Sequence, residues 1–79
     1  MKNIEKYITA FVSTFMVDPS KLESLKYQGI DAWDSVGHMA LIALLEESFA
    51  IEMDIDDIIG FSSYEEGKKI LMKYGITLS

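Results

Sequence analysis

The sequence predicts a small all-α domain: a bundle of three main helices and one short helix, with a long loop between helices 1 and 2. Apolar residues recur at helical spacing in three stretches, and no stretch alternates in the manner of a strand. Ser, Asp, Gly and Pro residues stand where these helices would begin and end. A chain of 79 residues suffices for one small core, so we expect one domain over residues 1–79.

The first helix is predicted over residues 2–16, where apolar side chains return every three or four positions. Asp18-Pro19-Ser20 ends it and starts a short turn of helix, with the proline at an early position. Residues 17–34 form a long connection anchored by scattered apolar residues, among them Trp33. Loops of that length are uncommon in small domains and often carry function.

The second helix is predicted over residues 35–49, and it is apolar on two sides. One side faces the core and contains Leu41, Ile42, Leu45 and Phe49, with Leu44 at its margin. The opposite side contains Val36, Met39, Ala40 and Ala43, followed by Glu46 and Glu47. Either the helix is buried nearly all round, or it exposes an apolar docking surface edged by carboxylates. The limited burial in so small a domain favours the docking surface.

The rest of the chain predicts a short helix and a final helix. Residues 54–59 read as a short helical turn closed by Gly60. Two overlapping capping boxes, Ser62 with Glu65 and Ser63 with Glu66, introduce a last helix that ends at Gly75. The inner stripe of that helix comprises Tyr64, Gly67, Ile70, Leu71 and Tyr74.

The net charge of −6 is concentrated in one segment. Residues 34–60 hold seven of the 13 acidic residues and none of the seven lysines, and the chain has no arginine. This segment is either an ordinary solvated acidic face or a surface that steers basic protein partners, and it argues against nucleic-acid binding. With no lysine nearby in sequence, Asp54, Asp56 and Asp57 are expected to repel one another and to limit stability near neutral pH.

The sequence also excludes several chemistries. Without cysteine there is no disulfide, no thiolate metal site and no cysteine nucleophile, so any thioester chemistry needs a sulfur from a prosthetic group. The longest apolar run, Met39 to Leu45, is too short to span a membrane, and the charged N-terminus does not resemble a signal peptide. We expect a cytoplasmic monomer.

The stretch Trp33-Asp34-Ser35-Val36 lies where the long loop gives way to the second helix. A helix N-terminus offers free backbone N–H groups and the positive end of the helix dipole, which suit a phosphate attached covalently to the Ser35 hydroxyl. Asp and Ser are also preferred capping residues, so a purely capping role for this dipeptide is the alternative.

Asp34-Ser35 followed by an aliphatic residue at a helix start resembles the attachment motif of acyl carrier proteins. The resemblance extends over nearly the whole chain. Leu44 to Glu52 is similar to the end of that family's second helix, and Asp54 to Ile58 resembles its short acidic third helix. The family's Leu is Val36 here, and Trp33, Gly37 and His38 surround the motif. With these departures, the motif resembles that of specialised, stand-alone carriers more than that of housekeeping fatty-acid carriers.

The resemblance implies a carrier without catalytic groups or metal ligands of its own. Ser35 would carry 4′-phosphopantetheine from coenzyme A, installed by a phosphopantetheinyl transferase that recognises Asp34. The terminal thiol would hold an acyl or aminoacyl group as a thioester, loaded by a ligase and consumed by an acyltransferase or synthase. The pathway stays open among fatty acid, polyketide, nonribosomal peptide and surface polysaccharide biosynthesis. The implied partner-binding positions are Val36, Met39, Ala43, Glu46, Glu47, Asp54, Asp56 and Asp57.

Three other interpretations compete with the carrier. Asp34, Ser35 and His38 contain the side chains of a hydrolytic triad, but the chain has little with which to build an oxyanion hole and a pocket. A calcium-binding loop that starts at Asp54 requires glycine at its sixth position. Gly60 occupies the seventh position, so this interpretation fails. The main rival is a noncatalytic interaction module that docks a partner through the apolar and acidic face of the second helix.

Overall fold

The computed structural model describes residues 1–78, which fold into four α-helices and one 3₁₀ helix without a β-strand. The elements are α1 (Asn3–Phe15), a 3₁₀ helix (Pro19–Ser24), α2 (Ser35–Phe49), α3 (Ile55–Gly60) and α4 (Tyr64–Lys73). The predicted all-α class is therefore confirmed. The bounds of α2 are those predicted, those of α1 and α3 differ by one residue at each end, and α4 ends two residues earlier.

Side-chain caps fix where α2 and α4 begin. Asp34 Oδ1 accepts a hydrogen bond from the Gly37 N–H at 2.8 Å at the start of α2. Ser63 Oγ accepts one from the Glu66 N–H at 2.9 Å at the start of α4, so the second of the two predicted capping boxes supplies the cap. Each cap satisfies a backbone donor that the helix itself leaves unpaired.

The core is built around Phe11, whose ring contacts five other aromatic rings. These belong to Tyr7, Phe15, Trp33, Phe61 and Tyr64. Four of these contacts are edge-to-face and the one with Phe61 is stacked, and both kinds add to the free energy gained by burial. The buried Tyr7 hydroxyl is satisfied, because it donates to the Tyr64 carbonyl at 2.6 Å. Burial raises the pKa of Tyr7 well above its ordinary value, so the phenol remains a donor.

The long loop is held against the start of α4. The Tyr27 N–H donates to the Ser62 carbonyl at 2.9 Å, and the Tyr64 N–H donates to the Leu25 carbonyl at 3.0 Å. These bonds accompany an isolated antiparallel bridge between Lys26 and Ser63 that the sequence did not predict. The path of the loop to α2 is thus fixed by hydrogen bonds within its 3₁₀ helix and by hydrogen bonds between its later residues and the start of α4.

Candidate functional site

Ser35 is the first residue of α2, and its side chain is exposed. The capping function belongs to its neighbour, because Asp34 is the N-cap and its carboxylate holds the Gly37 N–H. The alternative that both residues serve only as caps therefore does not account for Ser35. The structure places an exposed hydroxyl on the first turn of a fifteen-residue helix, at its positive end.

The loop before Ser35 is pressed closely against α2. A Cβ at Gly37 would overlap the carbonyl oxygen of Ala32 and would lie 3.2 Å from a ring carbon of Phe15. Trp33 lies between Ala32 and the cap, and its side chain is fully buried with its ring stacked on that of Phe15 at 5.1 Å between centroids. The backbone at Ser35 is consequently held by the packed loop that precedes it and by α2, which follows it.

His38, one turn after Ser35, links three segments of the chain through its two ring nitrogens. The Trp33 Nε1–H lies 2.9 Å from His38 Nδ1, and the Ile58 carbonyl oxygen lies 2.7 Å from Nε2. Because an indole nitrogen only donates and a carbonyl only accepts, Nδ1 is the acceptor and Nε2 carries the proton. The imidazole is therefore neutral in this arrangement, with its tautomer fixed by its partners.

This arrangement leaves the hydrolytic interpretation without a base. Both nitrogens of His38 are directed to Trp33 and Ile58, and the Asp34 carboxylate is bonded to the backbone of Gly37. The three triad side chains lie within five residues of the sequence, but the structure does not bring them together as an acid, a base and a nucleophile. Geometry is the criterion for a triad, and it is not met here.

A pocket of about 300 Å³ opens beside Ser35, between the start of α2 and α3. Its walls are mainly apolar, and Tyr27 of the long loop forms part of them. The lining residues are Tyr27, Ser35, His38, Met39, Ile58, Ile59, Phe61 and Ser62. A volume near the lower end of the range for small-molecule sites suits a slender group attached at its rim.

The apolar side of α2 is exposed at the residues next to this pocket. Val36 is 79% and Met39 is 52% exposed, and Ala43 is also exposed. The sequence-based choice of an exposed face over burial on all sides is thus confirmed for these residues. The structure adds Ile55 and Ile59 of α3, which are 72% and 75% exposed. Ile55 and Ile59 are four residues apart, so helical periodicity places them on the same side of α3. That spacing is the sequence signal that would have identified them as one apolar surface.

The predicted acidic positions divide into exposed and engaged side chains. Glu47, Asp54 and Asp56 are exposed. Glu46 is half-buried, and its Oε2 accepts a hydrogen bond from the Met53 N–H at 2.8 Å, so it also holds the chain that leaves α2. The predicted partner-binding role of Asp57 requires correction, because its side chain is only 12% exposed and faces α4.

Asp57 does not face a partner, because Lys73 of α4 and Tyr74, the residue that follows α4, both bind its carboxylate. Lys73 Nζ lies 2.6 Å from Asp57 Oδ1, and the Tyr74 hydroxyl donates to Oδ2 at 2.6 Å. The hydrogen bonds from Lys73 and then Tyr74 hold the pKa of Asp57 below its ordinary value, and the bond to Asp57 raises the pKa of both partners. The expected repulsion is therefore wrong at Asp57, since a lysine from outside the acidic segment neutralises it.

The residues around Ser35 fit a phosphodiester-linked arm. The attachment atom would be the exposed Ser35 hydroxyl, the helix start would favour the phosphate charge, and the pocket would accommodate an apolar portion of the arm. When bound, 4′-phosphopantetheine supplies the thiol that this cysteine-free chain lacks.

Comparisons of the chain with protein-family models, curated proteins and solved structures found no match. No helix within residues 1–78 combines the length and the apolar character that crossing a membrane requires.

Proposed function

We propose that this protein is a stand-alone carrier that holds an acyl or aminoacyl group as a thioester on 4′-phosphopantetheine attached to Ser35. One observation carries the proposal. Ser35 presents an exposed hydroxyl on the first turn of α2, while the adjacent Asp34 supplies the cap. A carrier needs such a hydroxyl on a rigid support, and it needs no catalytic group of its own.

Attachment is a phosphoryl-group transfer catalysed by a partner transferase. The Ser35 oxygen forms a bond to the phosphorus that carries pantetheine, and the pyrophosphate bond of coenzyme A breaks. Adenosine 3′,5′-bisphosphate leaves, and the hydroxyl proton passes to the transferase or to solvent. The carrier contributes the nucleophilic oxygen and its placement, because the neighbouring His38 nitrogens are both engaged elsewhere.

The exposed side chains of α2 and of the α3 segment provide a surface for such partners. Val36 and Met39 form its apolar part, and Glu47 with Asp54 and Asp56 supplies negative charge that steers partners with basic surfaces. The partners are a phosphopantetheinyl transferase, a ligase that loads the acyl or aminoacyl group, and an acyltransferase or synthase that uses it. A flexible arm then raises the concentration of the cargo near their active sites.

Intact-protein mass spectrometry tests the attachment directly. After incubation with a phosphopantetheinyl transferase and coenzyme A, the protein should gain the mass of one phosphopantetheine group, and Ser35→Ala should gain none. Ser62→Ala is the matched control, because Ser62 is an exposed serine that lines the same pocket, and this variant should be modified like the wild type. Modification that persists in Ser35→Ala would refute the proposal.

The exposed apolar residues also favour a second candidate, a noncatalytic interaction module. Val36, Met39 and Ile59 would serve such a module equally well. The two candidates differ at Ser35, because docking alone does not require its hydroxyl. A partner that binds wild type and Ser35→Ala with equal affinity, together with no modification by several transferases, would support the module.

A further inference from the structure

The short helix α3 depends on polar contacts with its neighbours. It has six residues, well below the length at which an isolated helix is stable in water. Ile55 and Ile59 are exposed, so burial of these two side chains contributes little to holding it. Its position is set by Ile58, which packs against the core, by the buried Met53 and Phe61 on either side, and by side-chain hydrogen bonds to two other helices.

The first contact joins α3 to α4 through Asp57. Its carboxylate is bonded to Lys73 and to the Tyr74 hydroxyl, and that hydroxyl also accepts the Asp54 N–H at 2.8 Å. This cluster fixes the beginning of α3. At the other end, beside the pocket, the fully buried ring of Phe61 anchors the residue that follows α3, and the Ile58 carbonyl lies within hydrogen-bond distance of α2.

The second contact joins the end of α3 to α2 through His38. The Nε2–H of His38 donates to the Ile58 carbonyl at 2.7 Å, whereas the Phe61 N–H lies 3.4 Å from that oxygen. His38 thus supplies the closer donor to a carbonyl in the last turn of α3, where helices leave acceptors unpaired. The Trp33 N–H bond to Nδ1 in turn keeps the proton on Nε2.

His38 and Ser35 are three residues apart on α2 and line the same pocket, and Ile58 and Ile59 form part of its α3 wall. We propose that His38 is a positioning residue: its neutral imidazole holds the end of α3 against α2 and thereby sets the surface beside Ser35 that a phosphopantetheinyl transferase contacts. The part of this inference that concerns the transferase rests on the proposed function. The hold on α3 is a property of the protein without any partner.

Two amide substitutions separate the two bonds of His38. His38→Gln keeps an amide N–H near the position of Nε2, so it retains a donor for Ile58 and loses the acceptor for Trp33. His38→Asn keeps an amide oxygen near the position of Nδ1, so it retains the acceptor and loses the donor. Both variants remove the ring and one of its two hydrogen bonds, and a purely structural role predicts similar effects for both.

Hydrogen exchange of the unmodified protein tests the hold on α3. We expect the Gly60 and Phe61 amides, at the end of α3, to exchange about three- to tenfold faster in His38→Asn, the range expected for the loss of one hydrogen bond, and at close to the wild-type rate in His38→Gln. The amides of α1 should exchange alike in both variants. Unchanged exchange of α3 in His38→Asn, or equal acceleration in both variants, would overturn the inference.

Steady-state kinetics with a transferase and coenzyme A test the functional consequence. His38→Asn should raise the KM for the carrier about three- to tenfold with little change in kcat, and His38→Gln should restore a KM close to that of the wild type. Equal KM values in the two variants would overturn the role in recognition. Wild-type protein that no transferase modifies would instead refute the proposed function, and the exchange experiment would still decide whether His38 holds α3.

Discussion

The indole Nε1–H of Trp33 donates to Nδ1 of His38 across 2.9 Å, and this bond joins the loop that precedes Ser35 to the helix that Ser35 begins. Trp33 is fully buried, so its N–H has little access to water as a substitute acceptor. A buried donor without a partner costs about 1–3 kcal/mol, which makes this bond important for the stability of the site.

A double-mutant cycle measures that bond. His38→Ala should lower the free energy of unfolding by about 1–3 kcal/mol, because it leaves the Trp33 N–H unpaired. Trp33→Phe removes the donor, and the coupling energy between the two positions should be about 1 kcal/mol, as for residues that share a hydrogen bond. Urea unfolding of the wild type, both single variants and the double variant gives this energy. Strictly additive effects would show that the two side chains are not coupled.

The close approach of Ala32 to α2 predicts a strong effect of a single methyl group. Gly37→Ala should lower the free energy of unfolding by about 1–3 kcal/mol, because the new Cβ would overlap a backbone oxygen that cannot move without shifting the loop. Gly60→Ala is the matched control, since nothing lies within 4 Å of a Cβ at that position. Thermal unfolding should show the control unchanged or slightly stabilised, and equal losses in both variants would contradict the packing described.

The Asp57 cluster predicts a defined dependence of stability on pH. Hydrogen bonds from Lys73 and Tyr74 hold the pKa of Asp57 below its ordinary value of 3.8, so the folded protein binds fewer protons than the unfolded chain in acid. The stabilisation is therefore complete near neutral pH and is lost as the pH falls through the folded-state pKa. The melting temperature of Asp57→Asn should be below that of the wild type at pH 7, and the gap should narrow toward pH 3.

Asp56→Asn is the control for this experiment, because Asp56 is an exposed neighbour on the same helix. Its effect on the melting temperature should be smaller at pH 7 than that of Asp57→Asn. A gap between wild type and Asp57→Asn that stays constant from pH 7 to pH 3 would show that the ion pair with Lys73 does not stabilise the fold.

The exposed apolar side of α2 predicts a separation of binding from stability. Met39→Asp should leave the helical circular dichroism unchanged and weaken binding to the transferase, because this side chain is half exposed next to Ser35. Leu41→Asp, two residues away but fully buried, should unfold the protein. Loss of helicity in Met39→Asp would show that its side chain belongs to the core.

The acidic segment predicts a dependence of association on salt. Glu47→Lys should slow association with a transferase that has a basic surface, and added salt should reduce the difference from the wild type. Glu23→Lys, an equal charge change at an exposed site in the long loop, should have a smaller effect. Stopped-flow measurements at two salt concentrations would contradict electrostatic steering if both variants slowed association equally.

Local signals in the sequence were sufficient to predict the helices. The predicted bounds of α2 agree with the structure because Asp34 is a strong cap at its start and apolar residues continue to Phe49. The side of α2 that carries Met39 was also predicted correctly, since the size of the chain limits how much of one helix can be buried.

The contacts between distant segments could not be read from local patterns. Ile58 is 20 residues from His38, and its carbonyl becomes a partner only when α3 folds back over α2. Lys73 is 16 residues from Asp57 and outside the acidic segment, so counting charges along that segment missed their ion pair. In each case the partner is determined by how helices pack, and helical periodicity contains no information about that.

Fragmentation mass spectrometry of the transferase-treated protein assigns the modification to a single residue and so decides whether Ser35 carries it. We expect one phosphopantetheine group per chain, located on the peptide that contains Ser35 and released from that peptide on fragmentation. A group located on any other serine, or none on wild-type protein with several transferases, would contradict this expectation.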